Sequence, residues 1–248
     1  MNFRETPLST GTGFIWRAKG EVFLITNWHN VTGINPRTGE HPSPYAGEPD
    51  RVLVLFDLAG SPLGTRGLFS FPLHDENGVP LWLEHPEMAR NVDVAALPLP
   101  LNRDAELYPI NEMQKSPMLE FPMLVSVGVD AFILGYPFNI KVSTLPIWKR
   151  ASIASEPGVA VDGKPCFYVD TASRPGMSGS PVILRSWGGS QIDDGGLMIA
   201  PGPVTRLIGV YSGRIGAEDE LQAQLGIVWR IEAVDEIITA GRRGSVTP

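Results

Sequence analysis

The sequence predicts an all-β protein of two six-stranded antiparallel barrels followed by one C-terminal helix. Three observations carry that expectation. Apolar runs are short and recur between turns, in a chain of 248 residues with 27 glycines and 23 prolines spread along it, which is the pattern of barrels and sandwiches rather than of helical bundles. That length suits one large all-β domain or two packed halves. Helical periodicity is confined to Ile231, Val234, Ile237 and Ile238, which repeat at helical spacing from Trp229 onward and stop before Gly241.

Taken in order, Gly13-Phe14-Ile15-Trp16-Arg17 and Glu21-Val22-Phe23-Leu24-Ile25-Thr26 flank Ala18-Lys19-Gly20, a hairpin signal. Residues 34–50 carry four prolines among glycines and charges and are expected to form a surface loop. Arg51–Leu58, Gly67–Leu73 and Pro80–Leu83, the last beyond a turn at Asn77-Gly78, are the next strands, and Asn91–Leu97 completes a first barrel over residues 1–100. Residues 101–122 are polar and proline-rich, with a helical turn at Asn111–Lys115, and serve as the linker. The second barrel, residues 123–228, takes Ala131–Tyr136, Lys149–Ala154, Phe167–Val169, Pro181–Leu184 and Leu207–Ser212, with room for one more strand after Gly213. Ser186–Pro203, with five glycines and two adjacent aspartates, is expected to be a long mobile loop beside Ser178, and residues 229–241 form the helix.

A net charge of −7 without a lysine or arginine cluster argues against nucleic acid or an anionic membrane as partner. The single cysteine, Cys166, leaves no internal disulfide framework and suggests a reducing compartment or a bacterial cell. The first residues lack a basic-then-apolar signal pattern and no run approaches the roughly 18 apolar residues of a membrane span, so a soluble, cytoplasmic chain is expected.

The chemistry gathers at Asp170-Thr171-Ala172-Ser173-Arg174-Pro175-Gly176-Met177-Ser178-Gly179-Ser180-Pro181, a polar turn between two apolar runs. Its glycines give the backbone access to positive φ, and Ser178 between them is a candidate nucleophile that needs a base and a group to orient the base. His29 is read as the end of a buried strand from Phe23, whereas His41, His74 and His85 lie in loops without such context. Asp93 is a lone charge between Val92 and Val94, where an unpaired carboxylate would be costly. No His-Glu-x-x-His, cysteine pair or phosphate-cradling glycine loop is present, so neither metal nor cofactor is expected.

Thr26-Asn27-Trp28-His29-Asn30-Val31, Asn91-Val92-Asp93-Val94-Ala95-Ala96-Leu97 and Pro175-Gly176-Met177-Ser178-Gly179-Ser180-Pro181 resemble, in that order, the three signature segments of trypsin-like (chymotrypsin-fold) serine proteases. Gly11-Thr12-Gly13-Phe14 and Ile133-Leu134-Gly135-Tyr136-Pro137 are similar to segments of the bacterial high-temperature-requirement type. The resemblance implies a chymotrypsin-like pair of barrels and a serine endopeptidase with a His29-Asp93-Ser178 triad and an acyl-enzyme. It also implies an oxyanion hole from the Gly176 and Ser178 amides, a side-chain pocket based on Ala172, and a substrate-pairing strand at Tyr211-Ser212-Gly213. Its substrate would be a protein or peptide, with a regulatory protein as a further partner.

The order histidine, aspartate, serine separates the chain from α/β-hydrolases, in which the histidine comes last, and Ser180 stands where their nucleophile motif ends in glycine. Two departures matter. Met177 occupies the place of the aspartate that captures a newly cut N-terminus in digestive members, and only about thirty residues follow Gly213, too few for the trailing peptide-binding domain of bacterial relatives. The alternative is a catalytically silent or partner-activated binding module on the same fold.

Overall fold

The computed structural model describes residues 2–3, 6–41, 48–100, 104–113, 122–137, 145–172, 174–214 and 225–245. In chain order these form β1 (Asn2–Phe3), β2 (Thr6–Pro7), β3 (Phe14–Ala18), β4 (Glu21–Thr26), α1 (Trp28–Thr32), β5 (Arg51–Leu58), β6 (Arg66–Pro72), β7 (Ala95–Leu99), β8 (Ala105–Glu106) and α2 (Ile110–Met113). The second half adds β9 (Asp130–Gly135), β10 (Ile147–Ile153), β11 (Cys166–Asp170), β12 (Pro181–Gln191), β13 (Leu197–Arg214), β14 (Leu225–Arg230) and α3 (Glu232–Ala240). The protein is mostly β, as expected.

The second half closes into a six-stranded barrel in the order β10-β11-β14-β13-β12-β9. Among the described residues the first half does not. Its described strands make two sheets, β3-β4-β7 and β2-β1-β5-β6 with β8 also on β5. The β3–β4 hairpin turns at Lys19 and Gly20, both at positive φ, the backbone a tight two-residue turn demands. On its other edge β3 meets only a single bridge from Ile15 to Pro109, and a cavity of about 520 Å³ lies between β3 and β5, lined in part by Phe14, Leu24, Val54, Phe56 and Ile110. Among the described residues no strand fills that gap. Pro80–Leu83 also falls short of a strand, making isolated bridges from His74 to Pro80 and from Leu83 to Ala96 and Arg243, since proline has no N–H for a ladder.

The expected loop at residues 186–203 is instead ordered as the outer part of the β12–β13 hairpin. Pairing runs from Pro181 opposite Val210 to Gln191 opposite Leu197, and a register shift between Trp187 and Gly189 absorbs the glycines as a bulge. The C-terminal helix begins at Glu232 rather than Trp229, because Trp229 is taken into β14 opposite Val210 and Cys166. Its buried face, Ala233, Val234, Ile237 and Ile238, packs in one cluster with Phe14, Phe23, Val92 and Val94 of the first half and Ile183, Leu207 and Trp229 of the second. This cluster is the seam between the halves, and Asp93 sits in it. Among the described residues no helix is long and apolar enough to cross a membrane.

Candidate active site

Each candidate reaches the seam on a different element. His29 is the second residue of α1 rather than the end of a strand. That helix has no side-chain cap from Asn27, and the His29 N–H, unsatisfied within the helix, is instead taken by Asp93 Oδ1 at 2.9 Å. The same carboxylate meets His29 Nδ1 through Oδ2 at 2.7 Å. Asp93 lies just before β7, since Asn27 Nδ2 occupies its carbonyl at 2.6 Å and strand pairing resumes only at Ala95. Only 3% of Asp93 is exposed, and Ser212 donates its hydroxyl to Oδ2 as well. The lone charge of the apolar run therefore has three hydrogen-bond donors.

Burial opposes charging of the His29 imidazole, but the charge of Asp93 and its hydrogen bond outweigh it, and the pKa is raised above the ordinary histidine value. The ring keeps an open side, with 26% of the side chain exposed. The other described histidines are otherwise engaged: His85 bonds Glu236 at 2.9 Å, His41 bonds the Gly33 carbonyl at 3.2 Å, and His74 packs edge-on to Trp82.

The turn between β11 and β12 folds through two tight bonds, Met177 N–H to Arg174 O at 3.3 Å and Ser180 N–H to Met177 O at 3.1 Å. Gly176 and Gly179 adopt φ of 91° and 87°, conformations that side chains resist, and a Cβ on Gly179 would lie 2.1 Å from the Thr12 carbonyl. From Gly176 to Ser180 every residue is buried except Ser178, which is half-buried. Ser180 is fully enclosed. Met177 is 1% exposed and packs in the core of the second barrel with Ile133, Val182 and Tyr211.

The Ser178 Oγ lies 3.7 Å from where a Cβ on Gly213 would stand, and the preceding Ser212 holds Asp93. Strand β13 thus brings the serine turn and the Asp93–His29 pair to one place. Ser178 and His29 share no hydrogen bond, a distance that commonly tightens only when substrate binds. Of the other candidates, Ala172 is half-buried beside the turn, and Tyr211 is enclosed with its N–H and C=O used by Ser180 and Gly179. Ser212 and Gly213, which follow it, are half-buried. Residues 218–220 lie outside the described residues. Sequence reasoning missed Asn27, Asn30 and Thr12 as supports, because their bonds to this site cross between elements. Burial pushes the Cys166 thiol up to about 11, so it offers no competing nucleophile.

A family model described as the trypsin-like peptidase domain matches residues 11–188. No curated protein matches the chain. Similar solved structures include Rv3671c from M. tuberculosis H37Rv, in an inactive form with serine replaced by alanine: 18% identity, 93% of this chain and 80% of that one covered, TM-score 0.41. The MamO protease domain from Magnetospirillum magneticum is 14% identical over 91% of this chain and 86% of that one, with a TM-score of 0.45. Deg5 is 18% identical over 92% and 81%, with a TM-score of 0.48. These likenesses concern the fold. The family match spans well over half of the 248 residues and includes His29, Asp93 and Ser178, and on that ground the chain belongs to the trypsin-like peptidase domain family, with the fold of trypsin-like serine proteases.

Proposed function

We propose that the protein is a serine endopeptidase that cleaves peptide bonds through Ser178, His29 and Asp93. The observation that supports this best is the two-point hold of Asp93 on His29, which leaves Nε2 as the free nitrogen of the ring. With its Nδ1 proton on the Asp93 side, neutral His29 takes the Ser178 proton as the hydroxyl attacks a peptide carbonyl, then delivers it to the leaving amine. Asp93 stabilises the imidazolium formed between these steps. The N–H groups of Gly176 and Ser178 receive the oxyanion, each worth about 2.7–4 kcal/mol in sites of this type. Water then attacks the acyl-enzyme with His29 again as base.

The substrate is a protein or peptide, and a regulatory protein partner and a cytoplasmic location belong to the same proposal. Labelling with a fluorophosphonate tests it. Wild type and Ser180→Ala should label and cleave a peptide mixture, while Ser178→Ala should do neither. A wild-type protein that is folded but neither labels nor cleaves would favour a silent binding module. Labelling of Ser178→Ala at the wild-type rate would displace the nucleophile.

A further inference from the structure

We infer that Thr12 and Asn30 form a clamp that fixes the two peptide planes flanking the Met177–Ser178 peptide, making both of them positioning residues for the hydrolysis proposed above, on which this inference rests. Thr12 precedes β3 and bonds the nucleophile turn twice: its N–H reaches Ser178 O at 2.8 Å and its Oγ1 reaches Gly176 O at 2.7 Å. The Thr12 hydroxyl also accepts the Tyr136 N–H at 3.2 Å, so its single proton is directed to Gly176. Asn30 Nδ2 adds a second donor to Ser178 O at 3.2 Å and a bond to Thr26 Oγ1 at 2.9 Å. Thr26 passes its own proton to Thr12 O at 2.8 Å. Thr12, Thr26 and Asn30 are all buried, and this chain of bonds gives each of their polar side chains a partner.

The geometry bears on chemistry because of which atoms are held. Gly176 O belongs to the Gly176–Met177 peptide plane and Ser178 O to the Ser178–Gly179 plane, and these stand on either side of the Met177–Ser178 peptide that carries the Ser178 N–H. With both neighbours held, that peptide is kept from turning the Ser178 amide away from a developing oxyanion, and a misplaced donor loses most of its effect. Asn30 follows His29 directly on α1, so the clamp ties the element carrying the base to the turn carrying the nucleophile. It also crosses the seam, joining residues 164 and 148 positions apart.

Gly11 gives an independent handle. A Cβ there would lie 2.6 Å from Asn30 Nδ2 and 2.9 Å from its Cγ and Oδ1. Gly11→Ala must therefore push the Asn30 amide aside. Removing that amide with Asn30→Ala frees the space, so the two substitutions should not add.

The experiment measures fluorophosphonate labelling rate, kcat and KM on a cleaved peptide, thermal unfolding, and hydrogen exchange over residues 174–180. Thr12→Val and Asn30→Ala should each lower kcat and labelling by about 10-fold or more, with KM held within about 2-fold, as expected for donors lost only to the transition state. Thr12→Ser, which keeps the hydroxyl, should restore labelling to within about 3-fold of wild type. Gly11→Ala should behave like Asn30→Ala, and the double variant should be no slower than Asn30→Ala alone. Folded Thr12→Val and Asn30→Ala proteins that label at the wild-type rate would overturn the clamp, as would Gly11→Ala and Asn30→Ala effects that multiply. Should Thr12→Val not fold, Thr12→Ser and Gly11→Ala carry the same test. If wild type itself does not label, the endopeptidase reading fails separately. Hydrogen exchange then decides the clamp alone: unchanged protection of residues 174–180 in folded Asn30→Ala would refute it.

Discussion

Asp93 holds His29 at two points, Oδ1 on the backbone N–H at 2.9 Å and Oδ2 on Nδ1 at 2.7 Å. One carboxylate therefore caps α1 and sets the ring orientation together. An asparagine would keep the shape but offer one oxygen and one N–H, so either the cap or the tautomer is lost. Asp93→Asn should reduce kcat by about 10⁴-fold, the scale expected when a triad imidazole is held in the wrong tautomer. Stability should fall by about 1 kcal/mol if the helix cap is the group lost. Steady-state kinetics with denaturant unfolding would check both, and a kcat loss under tenfold would remove Asp93 from its role.

The raised pKa of His29 fixes the direction of the pH dependence. With neutral imidazole as the base of the proposed reaction, activity should rise with pH and reach half its plateau above the ordinary value of about 6.5. Stability runs the opposite way. The folded state favours the imidazolium, so this contribution is complete below the unfolded pKa and is lost as pH rises through the higher folded one. In Asp93→Asn any residual activity should have its midpoint moved downward. A wild-type midpoint at or below 6.5 in the kcat/KM profile would contradict the assignment.

Much of the site was legible because its residues stand out locally. Asp93 is conspicuous as a charge between Val92 and Val94, and Ser178 as a hydroxyl among glycines. The seam helix was readable from its apolar spacing, apart from Trp229, whose place in β14 depends on partners in β11 and β13. The β12–β13 arm was not readable. Its glycines and aspartates look like a loop, and strand order there comes from pairing such as Gly189 opposite Ile199, which a single run does not encode. The first half is a similar case: β3 and β5 each look like barrel strands, but among the described residues no segment joins them in one sheet. Thr12 and Asn30 were hidden for the same reason, since their acceptors lie on the far side of the seam.

Met177 anchors the oxyanion turn by burial. Its side chain is 1% exposed in the second-barrel core, where digestive relatives would place a carboxylate. Met177→Ala should cost about 2–5 kcal/mol, as for other large-to-small core changes, and slow fluorophosphonate labelling. Met177→Leu should cost less than about 1.5 kcal/mol and keep labelling. Because no carboxylate precedes Ser178, a freed N-terminal amine has nothing to pair with there, and removing residues 1–9 should not switch activity on. Activation by orders of magnitude on that truncation would show an anchor other than Met177.

Specificity follows from the charges around Ala172. The neighbouring Thr171 hydroxyl bonds Lys149 Nζ and the Arg150 carbonyl, which places an ammonium beside it. Burial lowers the Lys149 pKa, the nearby Arg174 lowers it further, and Asp170 pulls it the other way. A lysine or arginine side chain placed against Ala172 would meet the Lys149 ammonium as like charge and compete with it for Asp170, and an unpaired buried charge costs several kcal/mol. Asp193 and Asp194 cannot supply the counter-charge. They sit at the tip of the β12–β13 hairpin, where Asp193 pairs with Arg206 at 2.6 Å and Asp194 caps Gly196 N–H at 2.9 Å. That tip is eleven residues of β12 away from the serine turn, on the order of 30 Å at strand rise. Depth is limited too. The Tyr211 ring fills the barrel interior over Gly226, where a Cβ would come within 2.4 Å of it. Small or medium apolar residues such as Ala, Val or Leu should therefore precede the cut, and Tyr211→Ala should extend acceptance toward Phe. Profiling both proteins with a mixed peptide library checks this. Dominant cleavage after Lys or Arg would mean that Asp170, or a carboxylate outside the described residues such as Glu218, Asp219 or Glu220, serves the pocket and that Ala172 does not define it.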